Sequence, residues 1–282
     1  MDIKRGFVDL PHGQVHYRTA GPAAGSNVPL LALHASPGSS RQLVNLVRGM
    51  GESRTVFAPD TPGNGDSVPL SDAEPTIADL AAAALRFMDA AGIESTAVYG
   101  SHTGAAIATE LAILAPDRIS HVIIDGISWL TPEELEEMLA HYAHPFTPDL
   151  DGSYLIRLFQ FCRDQYLFFP WYNRTNAGRR EGGLGSAQDL HAWVTEVMKA
   201  SETYHRNYHA AFKYDARLRL RLLGMPVLAV AASNDPLLAI TQELIGTVPD
   251  GRFAVLPRFD APEFTTERKA AITAFLAASV SA

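Results

Sequence analysis

The stretch Gly100-Ser101-His102-Thr103-Gly104 constrains this chain's fold more than any other. It follows an apolar run ending at Tyr99 and leads into Ala105-Ala106-Ile107-Ala108, a run of small, helix-compatible residues. A strand that becomes a helix across so short a segment must reverse sharply. Glycine two places on either side of the tip removes the Cβ atoms that would otherwise collide. The tip residue, His102, is then held in a strained backbone conformation. The alternative register, centred on Ser101, would place Tyr99 and Thr103 at the flanks, an aromatic and a β-branched residue where the turn needs small groups. His102 is therefore read as the tip and Ser101 as the spacer before it.

The surrounding pattern alternates. Short apolar runs bounded by turn residues at 29–33, 55–58, 96–99, 122–125, 227–231 and 252–256 read as buried strands. Residues 76–91, 103–114 and 264–279 carry helical spacing, with Thr76 and Asp79 placed as a variant capping box. Strands alternating with helices imply an α/β architecture, a mostly parallel central sheet flanked by helices. Ahead of it, 6–10 and 14–17 around Pro11-His12-Gly13 read as an antiparallel hairpin at the sheet edge. The alternation stops after Asp125. From 128 to 213 the chain turns helical and aromatic, with Phe159, Phe161, Tyr166, Phe168, Phe169, Trp171 and Tyr172. Most of these aromatics are expected to pack and a few to line a pocket. The segment from 176 to 189 is rich in glycine and is expected to be a loop or a lid.

With 282 residues, one α/β domain with an excursion needs no second core. A formal charge of −8 argues against nucleic acid and against a polybasic membrane surface. The single cysteine, Cys162, excludes an internal disulfide and fits a reducing compartment. The N-terminal residues lack the apolar centre of a secretory signal, and no apolar run approaches spanning length, so a cytoplasmic location is expected.

Two further motifs accompany the strained turn. His34-Ala35-Ser36-Pro37-Gly38 follows the 29–33 run, and Asp60-Thr61-Pro62-Gly63-Asn64-Gly65-Asp66-Ser67 follows the 55–58 run. Together with the turn at His102, they make the chain resemble the α/β-hydrolase fold family over most of 6–127 and 214–282. The resemblance implies a hydrolase core in those two segments with a helical cap at 128–213. It implies an oxyanion hole from the backbone amides of Ser36 and Thr103, and an acid slot at Asp235, with Asp125 the weaker candidate. The Asp60–Ser67 turn is expected to be structural, its Asp and Ser bonding backbone amides. The sequence departs from the family twice. His102 stands where a serine, cysteine or aspartate nucleophile is usual, and no histidine follows His209. Asp260 occupies the place nearest to the family's histidine base.

An imidazole at the tip needs no helper to hold a lone pair, so the altered set makes chemical sense with Asp260 or Asp235 fixing its tautomer. Three uses stay open: a general base for hydrolysis or lyase-type cleavage, a nucleophile forming an acyl-imidazole, or a fold that binds a small ligand without catalysis. The expected partner is a small, partly apolar molecule; a homo-oligomer is compatible with the sequence. No cofactor motif occurs. His205 and His209 are four residues apart but lack a third ligand, so no metal is expected. Arg179-Arg180 could meet an anionic substrate, although solvation is the default for a loop pair.

Overall fold

A computed structural model describes residues 2–22 and 27–278. The chain opens with β1 (Lys4–Leu10) and β2 (Gly13–Ala20), the expected hairpin. Gly13 takes a positive φ of 128° at the turn, a conformation open to glycine. Then follow β3 (Leu30–Leu33), a 3-10 turn (Ser40–Leu43), α1 (Val44–Met50), β4 (Val56–Pro59), α2 (Ile77–Ala90), β5 (Thr96–Ser101), α3 (Thr103–Leu114) and β6 (Ile119–Asp125). After the excursion come α8 (Ala216–Arg219), β7 (Val227–Ala232), α9 (Leu238–Ile245), β8 (Gly251–Leu256) and α10 (Phe264–Ala278). The expected end of α10 at residue 279 lies outside the described residues.

The eight strands form one sheet in the order β1-β2-β4-β3-β5-β6-β7-β8. Pairing is antiparallel from β1 through β2 to β4 and parallel across the rest. The central strands are continuous apolar runs because helices cover both of their faces, and Leu30, Leu31, Ala32 and Leu33 are all within 1% of full burial. On one face Leu31, Leu33, Val98 and Ile124 pack against α2 and α3; on the other Leu30, Ala32, Tyr99 and Ile123 pack against α1 and α10. Thr76 caps α2, and the Asp79 carboxylate accepts the Thr76 N–H in return, the reciprocal pair expected from the sequence.

Between β6 and β7 four helices form a separate layer: α4 (Pro132–His141), α5 (Ser153–Leu167), α6 (Ala187–Lys199) and α7 (Tyr204–Phe212). Phe161, Tyr204, Leu158 and Cys162 are its fully buried centre, and Phe146 stacks on Tyr204 with ring centres 5.5 Å apart. The aromatics of this stretch mainly pack one another, while Phe159 is exposed. Hydrogen bonds fasten the layer to loops at the sheet's carboxyl edge, among them the following. Trp193 Nε1 donates to the Pro37 carbonyl (2.9 Å), Thr203 Oγ1 to the Gly63 carbonyl (2.7 Å), Asn207 Nδ2 to Thr61 Oγ1 (3.1 Å), and Ser39 Oγ to Glu196 (2.7 Å). The helical layer thus holds the very loops that bear the sequence motifs. No described helix is long and apolar enough to cross a membrane.

Candidate active site

The turn after β5 has the geometry its glycines require. His102 has φ 49° and ψ −108°, and it is the one non-glycine with positive φ among the described residues. A Cβ on Gly100 would lie 2.1 Å from the Gly104 carbonyl oxygen, and a Cβ on Gly104 would lie 2.3 Å from that of Leu33. Both neighbours are backbone and cannot yield, so only glycine fits. The His102 N–H is shared between the carbonyls of Asp125 and Gly126, each at 3.1 Å. These bonds help an otherwise unfavourable backbone conformation persist.

Of the two candidate acids, Asp235 reaches the imidazole. Its Oδ2 lies 2.9 Å from His102 Nε2, while its Oδ1 accepts the Leu237 N–H at 2.8 Å. One carboxylate thus serves as turn cap and as imidazole partner. Burial is the largest single influence on both groups and opposes their charged forms. For His102 the Asp235 charge and hydrogen bond, aided by Asp125 and opposed by Arg180, outweigh it, and the pKa rises above the ordinary histidine value. The Asp235 carboxyl is held below its usual range by His102, the Leu237 amide and Arg180.

Asp260 is not that partner. Its exposed carboxylate is bound by Arg258 through Nε at 3.0 Å and Nη2 at 3.1 Å, and Asn234 approaches it at 3.4 Å. The Arg258 hydrogen bond holds it below the usual carboxylate range. The guanidinium two residues before it in the same loop captured this side chain, and positional analogy alone had no means of anticipating that. Asp125 is likewise committed elsewhere. It accepts from Tyr99 Oη and, at 3.2 Å, from Arg268 Nη1, in a buried cluster behind the turn.

Gly126 escaped the sequence reading. With φ +73°, it lets the imidazole lie against the backbone: a Cβ there would be 2.8 Å from His102 Cδ2 and 2.9 Å from Nε2. Its signal was a glycine directly after a strand-ending acid. The loop bearing Ser36 is braced by His34, which is fully buried and accepts the Thr61 N–H at Nε2 (2.9 Å). His34 Nδ1–H then donates to the Ala35 carbonyl at 2.8 Å. Burial lowers the His34 pKa, consistent with this neutral tautomer. Ala35 has no positive φ, so alanine sits in this loop without backbone strain. Asp60 and Ser67 do bond backbone amides, those of Ser40, Asp66 and His16. Thr103 is the first residue of α3, where an N–H has no partner within its own helix.

The imidazole lines two cavities, an outer cleft of about 800 Å³ and an inner one of about 200 Å³. Its side chain keeps 37% exposure, and among the described residues Nδ1 has no protein partner. Met138, Tyr142, Phe169, Tyr208 and Phe212 wall the inner cavity, where Ser36 and Thr103 also lie. Ser36 Oγ and Gln165 Nε2, buried polar atoms of that lining, make no hydrogen bond among the described residues. Arg180, from the glycine-rich loop, borders both cavities and stacks 5.3 Å from the Phe259 ring. His205 and His209 face a different cavity, and His209 Nε2 is bound to the Ala143 carbonyl at 2.9 Å. Cys162 is buried in the helical layer, which pushes its thiol pKa up.

Known proteins bear on this geometry. Residues 28–247 match the family model described as the alpha/beta hydrolase fold. The RutD protein of Caulobacter sp. (strain K31) is 26% identical over 245 residues, 80% of this chain and 85% of its own length. The dihydrolipoyllysine-residue acetyltransferase component of the acetoin cleaving system from Cupriavidus necator is 33% identical over 118 residues. That match takes in 42% of this chain, which covers only 30% of the relative's length. Among solved structures, the enol-lactonase of Burkholderia xenovorans LB400 superposes with a TM-score of 0.76 at 18% identity, covering 96% of this chain and 100% of that one. A hydrolase from Pseudomonas aeruginosa PA01 gives a TM-score of 0.74 at 21% identity, covering 97% and 98%. Strand order, strained turn and family match agree: the chain belongs to the alpha/beta hydrolase fold family of enzymes.

Proposed function

We propose that this chain is a cofactor-independent hydrolase of small, partly apolar molecules, with His102 as general base. The observation that carries the reading is the 2.9 Å contact between His102 Nε2 and Asp235, which leaves Nδ1 of a cavity-lining ring unpaired. With Nε2–H donated to Asp235, Nδ1 holds the lone pair and can take a proton from water. The hydroxide so formed attacks a carbonyl whose oxygen rests on the amides of Ser36 and Thr103. The imidazolium, stabilised by Asp235, then returns its proton to the leaving group. No covalent intermediate is required. The same base and amides would serve a lyase-type cleavage, in which the proton comes from the substrate and the amides hold an enolate.

The rising pKa of His102 fits a base that must stabilise its own protonated form after the first step. The aromatic inner cavity suits an apolar substrate group, and the unpaired Ser36 Oγ and Gln165 Nε2 offer it polar contacts. Screening of ester, lactone and carbamate panels should find a substrate whose turnover falls about 100- to 10,000-fold in His102→Ala. A fluorophosphonate probe should leave Ser101 unlabelled. Wild-type turnover by His102→Ala would overturn the proposal. Tight binding of a metabolite recovered unchanged, with no turnover, would favour a ligand-binding role instead.

A further inference from the structure

The outer cavity is lined by arginines, three of which have no carboxylate partner among the described residues. Its lining includes Arg18, Arg41, Arg180 and Arg268 together with four carboxylates, those of Asp125, Asp189, Asp235 and Glu196. Most of the acids are already engaged. Arg268 binds Asp125, His102 binds Asp235, and Glu196 accepts from Ser39 and from Lys199. The Asp189 carboxylate accepts the hydroxyl of Ser186, the residue that caps α6.

The arginines are less satisfied. Arg18 is 91% buried by its 9% exposure, its Nε has no partner, and none of its guanidinium nitrogens donates to a protein oxygen among the described residues. Burial and the nearby charges of Arg5 and Arg41 oppose its ionisation, while Asp60 and Glu196 support it from beyond ion-pair distance. Arg41 is exposed on the turn that borders the cavity and makes no side-chain ion pair among the described residues. Arg180 spends Nη1 on the Gln165 carbonyl at 2.8 Å and has no carboxylate partner among the described residues. An Nε–H buried without a partner is costly, and an anion met by the same guanidinium from the cavity would relieve it.

We propose that Arg18 and Arg41 bind a carboxylate or phosphate group, with Arg180 adding positive charge between that site and His102. The substrate would then have two ends, an apolar group in the inner cavity and an anionic one in the outer. Arg18 stands on β2, three strand positions from β5, about 14 Å across the sheet at ordinary strand spacing. The anionic group is therefore separated from the reacting carbon by several bonds. Linking the anion to the substrate rests on the proposed role of His102; the arginine site itself does not.

The test titrates the full chain at low ionic strength with inorganic phosphate and, separately, with succinate, by calorimetry and by amide chemical shifts. At least one probe should bind, and R41Q and R18Q should each weaken that binding about tenfold or more. R258Q, which alters the surface pair with Asp260, should leave binding within about twofold, as should H102A. Preference for phosphate identifies a phosphorylated substrate, and preference for succinate a carboxylate. Because Arg41 is exposed, R41Q tests the site even if R18Q fails to fold. Absence of binding by either probe, or equal binding by R41Q and wild type (an adventitious ion only), overturns the proposal. Loss of turnover in H102A with anion binding retained separates this site from the base assignment.

Discussion

The strain at His102 can be measured by comparing two substitutions at that position. His102→Ala and His102→Gly both delete the imidazole and its bond to Asp235, so those losses cancel in their difference. What remains is the Cβ at φ 49° and ψ −108°. A non-glycine residue held in such a sparsely populated region costs about 1–3 kcal/mol. Glycine elsewhere is less stable than alanine by roughly 0.5–1 kcal/mol, through its greater freedom in the unfolded chain. Subtracting the second from the first predicts that the glycine variant is more stable than the alanine variant by about 1 kcal/mol, and by at most about 2.5 kcal/mol. For a chain of this size that corresponds to about 2 °C in Tm at the centre of the range and about 4 °C at its upper end. Urea unfolding followed by far-UV circular dichroism, with both variants sharing one m-value, reads the difference directly. An alanine variant equal to or more stable than the glycine variant would show that the turn stores no strain, and the steric account of its glycines would fail.

Other substitutions probe the rest of the site. Asp235→Asn should lower the maximal rate about 100-fold or more and move the acid limb of the kcat/KM profile to lower pH. The sign follows because the base acts when neutral, and removing the Asp235 charge leaves burial and Arg180 to lower the His102 pKa. Asp260→Asn should leave rate and profile unchanged, and an acid shift there instead would return Asp260 to the site. Gly126→Ala sets a methyl 2.8 Å from His102 Cδ2 and should cost about 1–3 kcal/mol in a melt. It should also cut turnover about 100-fold through displacement of the ring. Tyr99→Phe removes a donor to buried Asp125 and should destabilise the fold by about 1–3 kcal/mol in urea, while the pH profile of turnover stays in place.

What was legible in the residues follows from the range of the forces involved. The central strands announced themselves because both faces are covered, so their apolar runs are unbroken, as in Leu30–Leu33. The turn at His102 was legible because a backbone collision leaves glycine as the one solution at Gly100 and Gly104. Thr76 and Asp79 sit three residues apart and settle their reciprocal bonds locally. The choice between Asp235 and Asp260 was not local. Both follow strands near the same sheet edge, and Arg258 decided which of them was free. Arg180 read as a solvated loop residue because nothing in its neighbours says that Phe259, 79 positions later, supplies a surface for it. Arg18 left a faint trace, since it shares a strand face with His16 and Ala20 and all three are buried. A charge among inward-facing residues signals a partner or a ligand, and only the assembled cleft shows that the described residues provide no carboxylate partner.

The clip between Arg258 and Asp260 has a consequence for how this fold can change. In relatives whose proton acceptor hangs from the segment after the final strand, that segment is pinned by chemistry to a narrow set of sequences. With the proposed base on the sharp bend itself, the last crossover would have only to close over the cleft beside Phe259. Residues 257–263 are thereby released from the reaction, and random substitution there should reshape the cleft entrance while sparing the machinery beneath it.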